Sequence, residues 1–108
     1  IINPKKILSP YMTIAFDCTE IGKRDLIAAI HPADNTARPQ FVDKKYNQDY
    51  HDLISKFEEK TGIGGLLNTS MNLHGEPIVG NSRDALHTLV NSDLDAVLID
   101  NLLVTRKK

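Results

Sequence analysis

Two stretches of the chain carry apolar residues at helical spacing. The first predicts a helix over 47–60, because apolar side chains recur at i, i+3, i+4 and i+7 and form one stripe. These side chains are Tyr50, Leu53, Ile54 and Phe57. Asn47 suits the N-cap, and Gly62 suits the position that ends the helix.

The second stretch predicts a helix with Ser82 as its N-cap and Asp84 in the positive first turn. Its predicted buried face consists of Ala85, Leu86, Leu89 and Val90. A shorter helical turn is predicted over 23–30. His31-Pro32 ends that turn, because the residue before proline avoids the α region.

Strands are predicted from runs of β-branched, aromatic or continuously apolar residues. The predicted strands cover residues 11–16, 37–42, 64–68 and 96–99. Pro39 confines the second to a sheet edge or a strand end, since proline donates no ladder hydrogen bond. The run at 96–99 is typical of a strand covered on both sides, and 102–104 extends or follows it. The pattern predicts a mixed α/β chain of the α+β kind with two main helices.

Composition and charge exclude several classes of protein. A length of 108 residues with 41% apolar and 25% charged residues predicts a single ordered domain over 1–108. With a net charge of −1, no basic cluster before Arg106 and no long apolar run, neither a nucleic-acid nor a membrane partner is expected. Cys18 cannot form an internal disulfide, which fits a reducing cytoplasm. The first residue is not Met, so we expect a piece of a longer protein.

Two segments are unusually polar for ordinary connections. Residues 31–40 combine an imidazole, a carboxylate, a hydroxyl, a guanidinium and an amide, and residues 68–72 are Asn-Thr-Ser-Met-Asn. Short hydroxyl and amide side chains with backbone N–H groups suit anionic oxygens, and the Arg38 guanidinium can grip phosphate or carboxylate at two points. Local hydrogen bonds in turns explain the same composition, so composition alone leaves both interpretations open.

Both segments resemble motifs of the O-carbamoyltransferases of nodulation and antibiotic tailoring. Residues 31–40, His-Pro-Ala-Asp-Asn-Thr-Ala-Arg-Pro-Gln, resemble the family's His…Asp-Gly-Thr-Ala-Arg-x-Gln motif. Residues 66–79, Leu-Leu-Asn-Thr-Ser-Met-Asn-Leu-His-Gly-Glu-Pro-Ile-Val, resemble its Leu-Leu-Asn-Thr-Ser-Phe-Asn-x-x-Gly-Glu-Pro-Ile-Val motif. Residues 9–12 and 84–86 fit in the same order, so the resemblance covers essentially the whole chain.

In that family an actin/Hsp70-like domain precedes a smaller YrdC-like domain, and this chain resembles the latter part of the smaller one. The resemblance implies a twisted mixed sheet with two main helices. It also implies that ATP and carbamoyl phosphate form carbamoyl-adenylate here, before the preceding domain passes the carbamoyl group to an acceptor hydroxyl. Mg²⁺ or another divalent metal would bind mainly outside this chain. Alone, the chain is expected to be inactive.

The resemblance further implies roles for side chains of the second motif. Ser70 and Asn72 would contact the ATP phosphates or the adenylate, and Asn68 and Thr69 would shape the same loop. The role of Glu76 is left open. These groups position the reactants and stabilise charge, and no side-chain nucleophile is required.

In the first motif, the implied roles also concern an anion. Arg38 would bind phosphate or the carbamoyl group, and Thr36 and Gln40 would orient it by hydrogen bonds. Asn35 replaces the family's Gly, and its backbone is expected to keep a left-handed turn, which Asn tolerates. The spacing after His31 is one residue longer than in the family, so the role of His31 is open.

Other chemistry is less favoured by the sequence. The four histidines include no i, i+4 pair and have no cysteine partner, which disfavours zinc. Residues 62–65 lack the Gly-Lys-Ser/Thr of a phosphate loop, and Cys18 is expected to be an inert thiol. The alternative function is a non-catalytic interaction or regulatory module that kept the fold. The acceptor and a homo-oligomeric state are left open.

Overall fold

A computed structural model describes residues 1–107 and divides them into two compact units. The first unit is Ile1–Leu67, and the second begins at Asn68 and takes in the rest of the described chain. The two units are considered one at a time below. The prediction of a single domain over 1–108 stays a prediction.

The first unit contains two helices, a 3₁₀ turn and a pair of two-residue strands. In chain order they are β1 (Phe16–Asp17), α1 (Glu20–Asp25), the 3₁₀ turn (Ile27–Ala29), β2 (Thr36–Ala37) and α2 (Gln48–Thr61). β1 and β2 are antiparallel. The helical turn predicted over 23–30 is therefore present, but it begins earlier and consists of two separate pieces.

The strands of this unit are shorter than the sequence predicts. The predicted strand 11–16 keeps only its last residue, because Met12 takes a left-handed φ of 55° that interrupts extended backbone. The prediction for 37–42 is wrong beyond its first residue, since Pro39 has no N–H with which to continue the ladder. The prediction for 64–68 is wrong, because no strand of the described residues pairs with this segment.

The structure confirms α2 and both of its ends. The side-chain oxygen of Asn47 accepts a hydrogen bond from the Tyr50 N–H at 3.1 Å. Gly62 ends the helix in the left-handed conformation, φ 76°, and its N–H donates to the Glu58 carbonyl at 2.7 Å. The helix is amphipathic, but its apolar stripe is not buried: no residue of α2 is buried, and Leu53 is 51% exposed.

The second unit is a helix packed on a β-hairpin. It consists of α3 (Ser82–Asn91), β3 (Ala96–Ile99) and β4 (Leu102–Thr105), with β3 and β4 antiparallel. The strand at 96–99 is confirmed, and 102–104 follows it as a separate strand. The N-cap lies one residue before the predicted Ser82, because the Asn81 side chain accepts from the N–H of the next turn.

The core of this unit lies between α3 and one face of the hairpin. Its buried residues are Ala85, Leu89 and Val97, against which Met71, Ile99 and Val104 pack. The predicted helix face is confirmed at Ala85 and Leu89, whereas Leu86 and Val90 are exposed and Thr88 is buried instead. The prediction that β3 is covered on both sides is wrong, since Leu98 on its outer face is 64% exposed.

The α+β class is confirmed by three helices and small antiparallel sheets in residues 1–107. For this chain the resemblance implies the latter part of a twisted mixed sheet. The described strands instead form two separate antiparallel pairs. No helix in this part of the chain combines the length and the apolar character needed to cross a bilayer.

Candidate functional site

The first polar segment, residues 31–40, begins as a closed turn. The His31 N–H donates to the Thr36 carbonyl at 2.8 Å, and the Asn35 N–H donates back to the His31 carbonyl at 2.9 Å. Asn35 has φ 56°, the left-handed conformation expected where the family has Gly. The turn leads directly into β2. Its conformation is therefore fixed by its own backbone hydrogen bonds and by the pairing of β2 with β1.

Asp34 is the centre of this turn. One of its carboxylate oxygens accepts from the Thr36 N–H at 3.0 Å and from the Thr36 hydroxyl at 2.8 Å, and it lies 3.2 Å from Nδ1 of His31. The hydrogen bond from the Thr36 N–H, followed by that from its hydroxyl, lowers the pKa of Asp34. The family motif implies no role for Asp34, although Asp followed two residues later by Thr is a signal for such a turn.

Arg38, unlike Asp34, makes no side-chain hydrogen bonds with its neighbours in the described chain. It is exposed, and its guanidinium makes no hydrogen bond or ion pair within the described part of the chain. The guanidinium of Arg24, by contrast, makes two hydrogen bonds to Asp25, at 2.5 and 2.9 Å. The backbone beside Arg38 is anchored, because the buried Ser9 hydroxyl donates to the Pro39 carbonyl at 2.7 Å. Arg38 therefore combines a guanidinium that has no partner in the described chain with a backbone that is held in place.

Gln40 and the pocket next to the turn complete the first segment. Gln40 is exposed and, like Arg38, makes no side-chain hydrogen bond among residues 1–107. An open pocket of about 240 Å³ adjoins the turn. It is lined by Lys23, Ile27, Ile30, Pro32 and Asn35. This mixture of apolar and polar side chains was not singled out by the sequence.

The second polar segment, residues 68–72, begins a loop that runs to Gly80 and is closed and crossed by hydrogen bonds. Met71 packs against the core of the second unit, and its carbonyl accepts from the Val79 N–H at 3.0 Å. Within the residues that this hydrogen bond encloses, the Glu76 N–H donates to the Leu73 carbonyl at 3.0 Å. The loop leads into α3, where the Asp84 carboxylate accepts from the Gly80 N–H at 3.1 Å.

Ser70 and Asn72 lie on either side of Met71 and bond to each other. The Ser70 hydroxyl donates to Oδ1 of Asn72 at 2.6 Å. The Nδ2 group of Asn72 donates to the carbonyls of Leu73, at 3.0 Å, and Glu76, at 3.1 Å. Among the described residues, the backbone N–H groups of Ser70 and Asn72 donate no hydrogen bond, and neither does that of the exposed Thr69.

Glu76 connects this loop to α3. Its carboxylate lies 3.5 Å from Nε2 of His87, and both side chains are about half exposed. Asn68, at the start of the loop, is exposed. The structure therefore brings Ser70, Asn72 and Glu76 together in the second unit.

The predicted site residues thus fall into two groups. His31 and Thr36 come together around Asp34 in the first unit, whereas Arg38 and Gln40 extend outward without partners in the described chain. The other group lies in the 68–80 loop of the second unit. Convergence of the two groups on one ligand stays a prediction. No three His, Cys, Asp or Glu side chains are placed to hold a metal ion in residues 1–107.

Comparison with known proteins gives a consistent set of relatives. The family described as Carbamoyltransferase C-terminus matches residues 2–106. An uncharacterized protein of Methanocaldococcus jannaschii is 40% identical over 108 residues, which is 100% of this chain and 20% of that protein. Nodulation protein NolNO of Sinorhizobium fredii is 38% identical over 98 residues, 91% of this chain and 14% of the relative. A 3'-hydroxymethylcephem-O-carbamoyltransferase of Amycolatopsis lactamdurans is 36% identical over 58 residues, 54% of this chain and 11% of the relative.

The chain spans a fifth or less of the length of these relatives. The matched residues nevertheless include both polar segments, from the turn around Asp34 to the 68–80 loop. The match therefore covers the residues of both polar segments and those of α3 and its hairpin. The chain belongs to the carbamoyltransferase C-terminus family.

Proposed function

We propose that this chain binds ATP and carbamoyl phosphate within an ATP-dependent O-carbamoyltransferase. Carbamoyl-adenylate forms from them before the carbamoyl group passes to an acceptor hydroxyl. The observation that carries the proposal is the family match over residues 2–106. A relative named as a 3'-hydroxymethylcephem-O-carbamoyltransferase supports an oxygen acceptor.

The first support from geometry is the state of Arg38. An exposed guanidinium without a carboxylate partner in the described chain is available for an incoming anion. Its planar fork can make two parallel hydrogen bonds to phosphate or to a carbamoyl group. Binding there breaks no existing ion pair, whereas Arg24 would first have to leave Asp25. Arg38 is therefore the better anion ligand of the two.

The second support is the free backbone of the 68–80 loop. Thr69, Ser70 and Asn72 present N–H groups that are unused within residues 1–107. Successive N–H groups at a turn form a concave site for phosphate oxygens. We assign the ATP phosphates to this loop and carbamoyl phosphate to Arg38, with Thr36 and Gln40 beside it.

The chemistry in this proposal needs positioning and charge rather than a protein nucleophile. Water first cleaves carbamoyl phosphate to carbamate and inorganic phosphate. A carbamate oxygen then attacks the α-phosphorus of ATP and displaces pyrophosphate, and negative charge builds up on phosphate oxygens in both steps. Fixed N–H donors and a guanidinium stabilise that charge without reorganising. The preceding actin/Hsp70-like domain and a divalent metal such as Mg²⁺ complete the proposed enzyme.

The test uses the protein expressed from its complete reading frame, with ATP, carbamoyl phosphate and Mg²⁺. We expect pyrophosphate release that depends on carbamoyl phosphate. Arg38→Ala removes a charge-assisted bidentate contact, which contributes about 1.5–3 kcal/mol and therefore weakens the apparent affinity for carbamoyl phosphate roughly 10- to 150-fold. Arg24→Ala is the matched control, and it leaves that affinity within about twofold because its guanidinium is already paired.

An alternative outcome separates the proposed enzyme from a regulatory module. A regulatory module binds neither ATP nor carbamoyl phosphate in a calorimetric titration, and Arg38→Ala then changes nothing. Equal effects of the Arg38 and Arg24 substitutions would contradict the assignment of the anion to Arg38 while leaving ATP binding by the loop intact.

A further inference from the structure

We infer that Asn72 is a positioning residue that acts through Ser70 and the loop backbone, and that its side chain does not contact the nucleotide. The inference rests on the proposed function, because it concerns how the 68–80 loop binds ATP. It differs from the role that the resemblance implies, in which Ser70 and Asn72 both contact the nucleotide directly.

The first observation is that every polar atom of the Asn72 side chain is engaged inside the loop. Both hydrogens of its Nδ2 group have a carbonyl acceptor, at Leu73 and Glu76, and its Oδ1 atom accepts the Ser70 hydroxyl at 2.6 Å. An amide nitrogen has two donor hydrogens. A phosphate oxygen could gain an Asn72 hydrogen bond only by displacing a carbonyl that already has one.

The second observation is the position of those carbonyls. Glu76 is four residues beyond Asn72, and its side chain lies against His87 of α3. The Asn72 amide therefore spans the loop from its first half to the half in which Glu76 contacts α3. The half-buried state of Asn72 agrees with this inward role, whereas Thr69 and Ser70 are exposed. The Ser70 hydroxyl hydrogen is likewise used, because it is donated to Asn72. The geometry therefore leaves the free backbone N–H groups of Thr69, Ser70 and Asn72 as the ligand-facing set.

A double-mutant cycle tests this assignment. We expect Ser70→Ala and Asn72→Ala each to weaken ATP binding about tenfold in calorimetry of the complete protein. Because Asn72 acts through the same contact, the double variant should again bind about tenfold more weakly than the unmodified protein. Independent contacts would multiply to about a hundredfold, since effects at uncoupled sites add as free energies. That multiplied loss would overturn the inference and leave the proposed function standing.

A second measurement does not depend on the stability of any variant. With asparagine-selective ¹⁵N labelling, the Asn72 side-chain amide should stay protected from hydrogen exchange both without and with saturating ATP. Loss of that protection on binding would show that the amide leaves its carbonyls for the ligand and would refute the positioning role. If the unmodified protein binds no ATP at all, the proposed function fails and this inference fails with it.

Discussion

Replacing Leu89 by Ala gives a direct measure of the core between α3 and the hairpin. Leu89 is 2% exposed and packs with Ala85 and Val97. The substitution removes three carbon atoms from contact, and at about 0.8 kcal/mol for each this gives roughly 2.4 kcal/mol. The cavity left behind adds to this loss, so we expect the free energy of unfolding to fall by about 3 kcal/mol, within the usual range for buried leucine.

The matched control is Leu86→Ala on the same helix. Leu86 is 40% exposed, so the same chemical change at the same secondary structure should lower the free energy of unfolding by less than about 1 kcal/mol. Urea titration followed through the amide NMR signals of β3 reports on the second unit alone. Equal losses for the two leucines would refute the described packing. They would instead support the sequence prediction that both residues share one buried face.

Two further predictions concern local hydrogen bonds of the first unit. Asn47→Ala removes the acceptor of the Tyr50 N–H and should destabilise α2 by about 0.5–2 kcal/mol in urea titration monitored by circular dichroism, whereas Gln48→Ala should have little effect. The pKa of Asp34 is lowered in the folded chain, so its stabilising contribution is present above the unfolded pKa and is lost as pH falls through the folded pKa. Thr36→Val should raise the Asp34 pKa part of the way, because the backbone donor remains, and an unchanged carboxyl ¹³C titration would contradict this account.

The sequence predicted structure best where the determining contacts are close in the chain. The helix α2 was predicted with both ends, because its cap and its terminating glycine act within four residues. The start of α3 was off by one residue. Asn81 and Ser82 are both good capping residues, and the choice between them depends on which side chain meets the Asp84 N–H.

Strands were predicted less well because a strand is defined by its partner. Residues 96–99 pair with β4 across a short turn, and that strand was found. The segment at 64–68 has suitable composition but no pairing strand within the described chain. Burial likewise depends on what covers a face, which explains why the apolar run of β3 was expected to be covered on both sides while Leu98 is exposed.

For the candidate site, too, the sequence does not show which contacts a single side chain makes in the fold. The two motifs placed Ser70, Asn72 and Arg38 in polar segments, but they did not distinguish a side chain that holds the loop from one that is free to bind. Asn72 donates to two carbonyls of its own loop, and the neighbouring Met71 packs on a core formed by residues from later in the chain. Arg38 stays free because its neighbours supply no carboxylate, a fact that follows from contacts and not from residue type. Polar residues of these motifs can therefore differ in role, and the hydrogen bonds already made in the fold decide which of them a ligand can reach.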